Sequence, residues 1–275
     1  MRKTLNALLM AGVMAVAAPV VGTLAPGAPV AGAPVTLYPG QLTVGVSLPS
    51  EGFETGVANG SHVIYAQGFD IDLAQDIANR LGFRRVQFVQ SSFSNLLTAG
   101  KKPWDIAVAQ ITITAARSRD LTFSQPYMTV DQGVLAAEGL SPVPTSLAGL
   151  RPLQLCALRG STGADVVKSR IAPYKPALLP DNVPTLMLDL QNGVCQAVVY
   201  DAPSLGAMKS LAPGYYGSFV GLIPTGEHYG VAMPKGSPIA GQVDAALAAL
   251  IAGGTVQRLE NKWLTTDLAK LPVLR

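Results

Sequence analysis

The chain is poor in residues that bind metal ions. Its 275 residues include two cysteines, Cys156 and Cys195, and two histidines, His62 and His228. A structural zinc site uses four ligands, mostly of these two types, and the four residues here are spread widely along the sequence. The sequence therefore gives no basis for a metal cage, and we expect no metal and no other cofactor.

Charged residues are also scarce. They make up 13% of the chain, whereas hydrophobic residues make up 49%. This composition excludes a disordered chain or one that coats nucleic acid. The formal net charge is +3. Without Arg2 and Lys3, which lie in a segment that we expect to be removed, 18 basic residues face 17 acidic ones. No basic stripe remains for a nucleic-acid partner.

An apolar run stands near the start of the chain. Arg2 and Lys3 precede residues 7–21, which are rich in alanine and valine. This pattern is typical of a secretory signal, which we assign to residues 1–33 with the cleavage site left open. The alternative is an uncleaved membrane anchor, but glycine and proline within the run make a poor spanning helix. Residues 34–40 then resemble a flexible leader, and since no cysteine lies near the junction, we expect no lipid anchor.

An exported chain can carry a disulfide. Cys156 and Cys195 both fall at strand-like positions of the same later segment. We favour a bridge between them, and two buried free thiols are the alternative.

Hydrophobic periodicity predicts an α/β fold. Leu73, Ile77 and Leu81 repeat every four residues after an alternating apolar strand, and Asp70 stands where a helix cap is needed. Strands and helices then alternate, which predicts a parallel sheet covered on both faces. The expected strands are 41–47, 86–89, 104–109, 153–158, 197–201 and 229–233, and the expected helices are 70–80, 93–97, 161–171, 182–193, 239–251 and 256–263.

The pattern restarts midway, so we expect two doubly wound lobes. Lobe 1 comprises residues 41–133 and 229–275, and lobe 2 comprises residues 134–228. Ligands bind such sheets beyond the carboxyl ends of the strands. Polar residues stand at these ends, which predicts a ligand cleft between the lobes: Ser47, Gln110, Thr112, Arg159, Ser161, Thr162 and Asp201.

Arg117 is the first candidate for ligand binding. Its guanidinium is a planar fork that can hold a carboxylate through two parallel hydrogen bonds. Thr112, five residues earlier at a strand end, offers a hydroxyl and an amide to the same group. The alternative is a surface ion pair between Arg117 and Asp120.

Two further candidates lie in the second lobe. Ser161 and Thr162 follow a strand and begin a helix, where free N–H groups favour an anion. The alternative is a plain helix cap. Asp201 ends a strand and suits an ammonium group, or else it caps the next helix. Together with Arg117, these residues match both charges of an α-amino acid, as a site closed to water requires.

Aromatic residues are expected to cover the ligand's side chain. Phe53 follows the first strand and Phe69 precedes the first helix. Either ring can equally belong to the core. His62 lies between small polar residues and is expected to be a solvated loop residue.

Several of these segments occur as motifs in a fixed order. The chain resembles the polar amino-acid-binding proteins of bacterial ABC importers, extracellular solute-binding family three, over residues 42–264. The motifs are GFDIDLA, ITITAAR, FSQPY, RGST, AVVYDAP and YGVAMPKGS. The resemblance implies a type II periplasmic binding fold, with a two-strand hinge near 133–137 and 229–233. It also implies a periplasmic monomer that delivers an amino acid to a membrane permease and is not an enzyme.

The resemblance also implies roles for single residues. The hydroxyl and amide of Thr112 and the fork of Arg117 bind the ligand's α-carboxylate, and the amide of Thr162 contributes from lobe 2. Asp201 takes the α-amino group, with help from the carbonyl of Gln110.

The chain departs from the family pattern after the first strand, where many relatives carry an acid and this chain has Ser47. That departure weighs against a lysine, arginine or histidine ligand. Relatives usually have an aspartate at the position of Gln196, and Arg159 beside the anion site suits an acidic ligand. The alternative function is a periplasmic cyclohexadienyl dehydratase that acts on prephenate-like acids, with Asp201 as proton donor. We find no second acid or base placed to assist it.

Overall fold

The computed structural model describes residues 33–275. The secretory signal predicted for residues 1–33 lies outside the described residues, apart from residue 33. In the described part, no helix has both the length and the apolar composition that a membrane crossing requires. The predicted leader, residues 34–40, is mostly exposed, and the Leu37 N–H donates to Asp105 Oδ1 (2.7 Å).

The described residues form one mixed sheet of nine strands, in the order β2-β3-β4-β1-β5-β9-β6-β8-β7. The strands are β1 (Gln41–Val46), β2 (Thr55–Asn59), β3 (His62–Gln67), β4 (Arg85–Gln90), β5 (Ile106–Ala107), β6 (Leu121–Ala136), β7 (Leu155–Ala157), β8 (Ala197–Asp201) and β9 (Phe219–Pro234). The helices are α1 (Phe69–Arg80), α2 (Phe93–Leu97), α3 (Arg117–Asp120), α4 (Leu147–Leu150), α5 (Thr162–Val166), α6 (Val183–Gln191), α7 (Ala202–Leu211), α8 (Ala240–Ala252) and α9 (Thr255–Trp263).

The first half of the sheet is parallel around β1, which pairs with β4 on one side and β5 on the other. The apolar stripe of α1 is fully buried at Leu73 and Ile77, and α1 packs against α8 and α9. The expected parallel unit is therefore present, although β5 is shorter than the predicted 104–109.

The start of α1 differs from the prediction. Gly68 takes the N-cap position, and no side chain caps the helix. Asp70 lies inside the first turn, where Oδ2 accepts from the Gln110 N–H (2.9 Å) and Oδ1 accepts from the Tyr127 hydroxyl (3.1 Å). The prediction that Asp70 caps the helix is wrong because these tertiary partners occupy its carboxylate.

The second half is built around β8, which runs parallel to β7 and antiparallel to β6. α5 continues into a π-helical turn at Val167–Ile171, so the helix predicted over 161–171 consists of two segments. A disulfide joins Cys156 on β7 to Cys195, just before β8, with the Cα atoms 5.8 Å apart. It links the starts of neighbouring strands.

Two long antiparallel strands, β6 and β9, run through both halves. Each has 16 residues. β9 also pairs with β5 of the first half, and β6 also pairs with β8 of the second. Their mutual register shifts several times, for example between Val130 and Gln132. The strand predicted at 229–233 is thus only the last third of β9.

The end of the chain returns to the second half. The Leu222 N–H donates to the Pro272 carbonyl (2.8 Å), and the Leu274 N–H donates to the Leu222 carbonyl (2.8 Å). Leu274 is buried in the core beside Val199 and Ile223. The prediction placed all of 229–275 in lobe 1, but these last residues pack on the other half because Leu274 fills its core.

The hairpin β2–β3 is an element that the sequence analysis missed. Asn59 pairs with His62 across a turn whose Gly60 has φ +64°. Most of its side chains are exposed, so the hairpin lacks the apolar alternation that reveals a half-buried strand. His62 is exposed as expected, but it lies on a strand and not in a loop.

Candidate functional site

Asp201, at the end of β8, faces the two long strands. Its Oδ1 accepts a hydrogen bond from Gln132 Nε2 on β6 (2.5 Å), and its Oδ2 accepts one from the Tyr229 hydroxyl on β9. Burial raises the pKa of its carboxyl to about 6, although both hydrogen bonds act to lower it. Asp201 holds the N-cap position of α7, but its side chain makes no capping bond. The carboxylate therefore does not cap α7 but faces β6 and β9 at the centre of the molecule.

Arg117 begins α3 in the first half and reaches the second half. Its Nη1 donates to the Thr112 carbonyl (2.8 Å), and its Nη2 donates to the Gly160 carbonyl beyond β7 (3.0 Å). The guanidinium carbon lies 5.5 Å from the centre of the Phe93 ring, within range of a cation–π interaction. Backbone carbonyls and one ring thus fix the plane of the guanidinium.

The charge environment of Arg117 is mainly acidic. Burial lowers the pKa of its guanidinium, while the carboxylates of Asp201 and Glu227 oppose this effect. Arginine stays protonated in such surroundings. Among residues 33–275 it forms no ion pair, so the alternative bridge to Asp120 is absent. Its charge is not neutralised by a direct partner.

Two threonine hydroxyls from different halves meet at one carboxylate. Thr112 Oγ1 (2.9 Å) and Thr162 Oγ1 (2.5 Å) both donate to Glu227 Oε2. Gln132 Nε2 donates to Glu227 Oε1 (3.1 Å) as well as to Asp201. These donors form a group that binds a carboxylate between the two halves.

Gln110, three residues after β5, has a strained backbone. Its φ of +53° is uncommon for a residue with a side chain, and such conformations often occur at functional sites. Its Oε1 accepts from the hydroxyls of Ser50 (3.1 Å) and Ser204 (2.5 Å), and its N–H donates to Asp70. These three surrounding groups hold Gln110 in this conformation.

Ser47 lies beside an acid that the sequence analysis did not single out. The Ser47 N–H donates to Glu54 Oε2 (3.2 Å), and Glu54 is only 1% exposed. Burial first, and then the charge of Asp70, raise the pKa of Glu54 well above its usual value. A small cavity between the halves is lined by Ser47, Ser50, Glu54, Phe93, Gln110 and Tyr200, among others.

The two aromatic candidates lie in the core. Phe53 and Phe69 are both 0% exposed, with ring centres 5.7 Å apart. Phe53 also packs edge-on against Tyr229. Both rings pack against neighbouring rings, which is the core role that the sequence left open as the alternative. Phe93, interpreted from the sequence only as a helix residue, lies under Arg117 instead.

Ser161 acts as a plain helix cap, which was the alternative to anion binding. Its hydroxyl accepts from the Ala164 N–H (3.1 Å) and caps α5. Arg159 points outward and pairs with Asp181 (2.6 Å), and both side chains are more than half exposed. Arg159 is therefore not placed to select an acidic ligand.

The structure thus brings four of the predicted residues to one place: Thr112, Arg117, Thr162 and Asp201. Gln110 and Ser47 line the small cavity instead, together with Phe93, which lies under Arg117. Sequence reasoning missed Gln132, Glu227 and Tyr229, which lie on β6 and β9. Gln132 is 0% exposed, and a polar residue inside an apolar strand was the signal that could have found it.

Comparison with known proteins finds a family whose profile matches most of the chain. The profile of the bacterial extracellular solute-binding proteins, family 3, matches residues 42–266. An L-arginine-binding protein from Pseudomonas aeruginosa is 29% identical, over 73% of this chain and 80% of that protein. A glutamine-binding protein of an ABC transporter from Bacillus subtilis is 27% identical, over 74% of this chain and 75% of that protein.

Solved structures confirm the predicted fold. An ancestral arginine-binding protein bound to arginine superposes with a TM-score of 0.71 and 29% identity, covering 82% of this chain and 98% of that one. The architecture is the type II periplasmic binding fold, in which two α/β lobes are joined by long strands. The candidate site lies where those strands pass between the lobes.

Proposed function

Because this chain belongs to the bacterial extracellular solute-binding proteins, family 3, we propose that it binds a free amino acid between its lobes and delivers it to an ABC permease. The family is one of extracellular proteins. We further propose that this protein acts in the periplasm as a monomer, after removal of a signal peptide and without a lipid anchor.

The observation that supports this most is that a cation, Arg117, and an anion, Asp201, lie on opposite lobes without an ion pair between them. Arg117 and the hydroxyls of Thr112 and Thr162 suit the α-carboxylate, and Asp201 suits the ammonium group. A buried zwitterion needs both partners, since an unpaired charge away from water is strongly disfavoured. The ligand touches both lobes, so it stabilises their closed arrangement through its differential affinity.

Glu54 suggests which side chain the ligand carries. Its buried carboxyl lies beside Ser47, at the strand end where the sequence analysis noted the lack of an acid. A cationic side chain placed there would keep Glu54 ionised despite its burial. We therefore propose that the ligand is a basic amino acid, with arginine, lysine and histidine as the first candidates.

A thermal-shift screen of the twenty amino acids, with prephenate added, tests the proposal. A ligand at a hundredfold excess over its dissociation constant adds about 2.7 kcal/mol to stability. For a domain of this size that is a rise in Tm of roughly 5–11 °C. We expect basic amino acids to give the largest rise. No shift with any amino acid would contradict the binding function, and turnover of prephenate would favour a dehydratase.

The affinity should depend on pH through Asp201. Its carboxyl, which faces Arg117, Glu227 and Tyr229, has a pKa of about 6, raised mainly by burial. The ligand's ammonium requires the ionised form, so the contribution of Asp201 to the affinity should be constant above pH 7. Below pH 6 it should fall by about tenfold per pH unit, because binding must first remove a proton. Calorimetry at pH 5, 6 and 7.5 measures this.

The variant Asp201→Asn serves as control for the pH dependence. It should bind more weakly at pH 7.5 and lose the dependence that Asp201 causes; any dependence left would belong to Glu54. An unchanged affinity from pH 5 to pH 7.5 in the unaltered protein would argue against Asp201 as the ammonium partner.

A further inference from the structure

Glu227 holds the position that the proposed function gives to the ligand's α-carboxylate. Its carboxylate receives Thr112 Oγ1 (2.9 Å), Thr162 Oγ1 (2.5 Å) and Gln132 Nε2 (3.1 Å). We propose that Glu227 is an internal competitor of the ligand, which takes over these donors and displaces it. The inference rests on the proposed binding of an amino acid.

The donors cannot serve both carboxylates together. Each threonine hydroxyl carries a single proton, and both protons point at the same Glu227 oxygen. A ligand carboxylate bound by Arg117 must therefore accept the hydrogen bonds that these hydroxyls now donate to Glu227. Two carboxylates held side by side would also repel each other in a buried site. Binding of the ligand and the inward position of Glu227 exclude one another.

The backbone before Glu227 directs its side chain inward. Asp131 Oδ1 accepts from the N–H groups of Thr225 (2.8 Å) and Gly226 (2.9 Å). Gly226 has φ +59°, in the region that favours glycine. These bonds hold a tight turn at the register shift between β6 and β9. Glu227 itself is only half-buried, so its side chain has room to leave toward solvent.

The inward position also links the two lobes. Thr112 follows β5 in the first lobe, and Thr162 begins α5 in the second. A carboxylate bound to both favours their closed arrangement before any ligand arrives. Part of the ligand's binding free energy is used to displace Glu227 from these donors. The observed affinity is therefore lower than that of the same site without Glu227.

A different role for Glu227 would reverse the effect of a mutation. Glu227 and Asp201 share the donor Gln132 and lie close together. If Glu227 instead contacted the ligand's ammonium group, removing its charge would weaken binding. Competition predicts stronger binding. The sign of the change therefore separates the two roles.

The experiment compares the unaltered protein with Glu227→Ala, Glu227→Gln and the control Glu138→Gln, which removes an exposed carboxylate near the end of β6. Calorimetry uses L-arginine, L-lysine, L-histidine and L-glutamine as probes. We expect both Glu227 variants to bind at least about tenfold more tightly, equivalent to about 1.4 kcal/mol. The factor should be similar for every probe that binds, because all of them share the α-carboxylate. Glu138→Gln should change nothing.

A second measurement does not depend on amino-acid binding. Small-angle scattering of the protein alone should give a larger radius of gyration for Glu227→Ala than for the unaltered protein, since the link between Thr112 and Thr162 is lost. Unchanged or weaker binding in well-folded Glu227 variants would overturn the competition. If neither the unaltered protein nor the Glu227 variants bind any of the twenty amino acids of the thermal-shift screen, the proposed function fails, and the scattering result still decides whether Glu227 holds the lobes together.

Discussion

Replacement of Arg117 by alanine should lower the affinity for the ligand by roughly 10²–10³-fold. The guanidinium is the only cation placed against the predicted carboxylate among the described site residues, and it bridges both halves through Thr112 and Gly160. Its removal leaves a buried carboxylate unpaired, which costs about 3–5 kcal/mol, at about 1.4 kcal/mol per tenfold. Calorimetry with the amino acid that gives the largest thermal shift measures this loss.

Two control variants sharpen this prediction. Arg117→Lys keeps the charge but lacks the planar fork, so its affinity should lie between those of the alanine variant and the unaltered protein. Arg159→Ala removes a nearby but exposed arginine that pairs with Asp181 at the surface. It should bind within about twofold of the unaltered protein, as expected for a surface ion pair. Equal affinities for Arg117→Ala and Arg159→Ala would remove Arg117 from the site.

Loss of the disulfide should strongly lower the stability of the protein. The bond closes a loop of 39 residues between Cys156 and Cys195. A loop of that length corresponds to about 4 kcal/mol of unfolding free energy, largely through the entropy of the unfolded chain. The double variant Cys156→Ala/Cys195→Ala should therefore melt roughly 8–16 °C lower. Urea unfolding followed by circular dichroism measures the free energy directly.

A reducing agent provides the matched control. It should lower the stability of the unaltered protein toward that of the double variant and leave the double variant unchanged. Both cysteines are fully buried, so the reducing agent reaches the bond only after partial unfolding. Equal stability of the two proteins under oxidising conditions would show that the bond contributes nothing.

The residues that sequence reasoning could place are those at the carboxyl ends of parallel strands. Thr112 and Asp201 follow such strands, and the order of strands and helices was enough to bring them to one edge. Arg117 followed from its distance to Thr112. These placements needed only local patterns, because the connection of a strand to the next helix fixes where its end lies.

Other parts of the candidate site depend on packing that no local pattern shows. Gln132 and Glu227 lie on long antiparallel strands whose register shifts, and a shift of one residue changes the face on which a side chain lies. Phe53 and Phe93 both stand near strand ends, and only the packing of rings decided which of them meets Arg117. Asp70 met the rule for a helix cap, but Tyr127 and Gln110, distant in sequence, took its carboxylate.

The attachment of Pro272 and Leu274 to Leu222 bears on how the molecule can open. If β6 and β9 were the only connections between the lobes, one lobe could both bend toward the other and rotate about the strand axis. The third connection, from α9 through residues 264–271 to the far lobe, resists the rotation but permits the bending. Residues 264–271 connect α9 to the far lobe, so their path must change if β6 and β9 bend, and stiffening that stretch should restrict the proposed closure on the ligand.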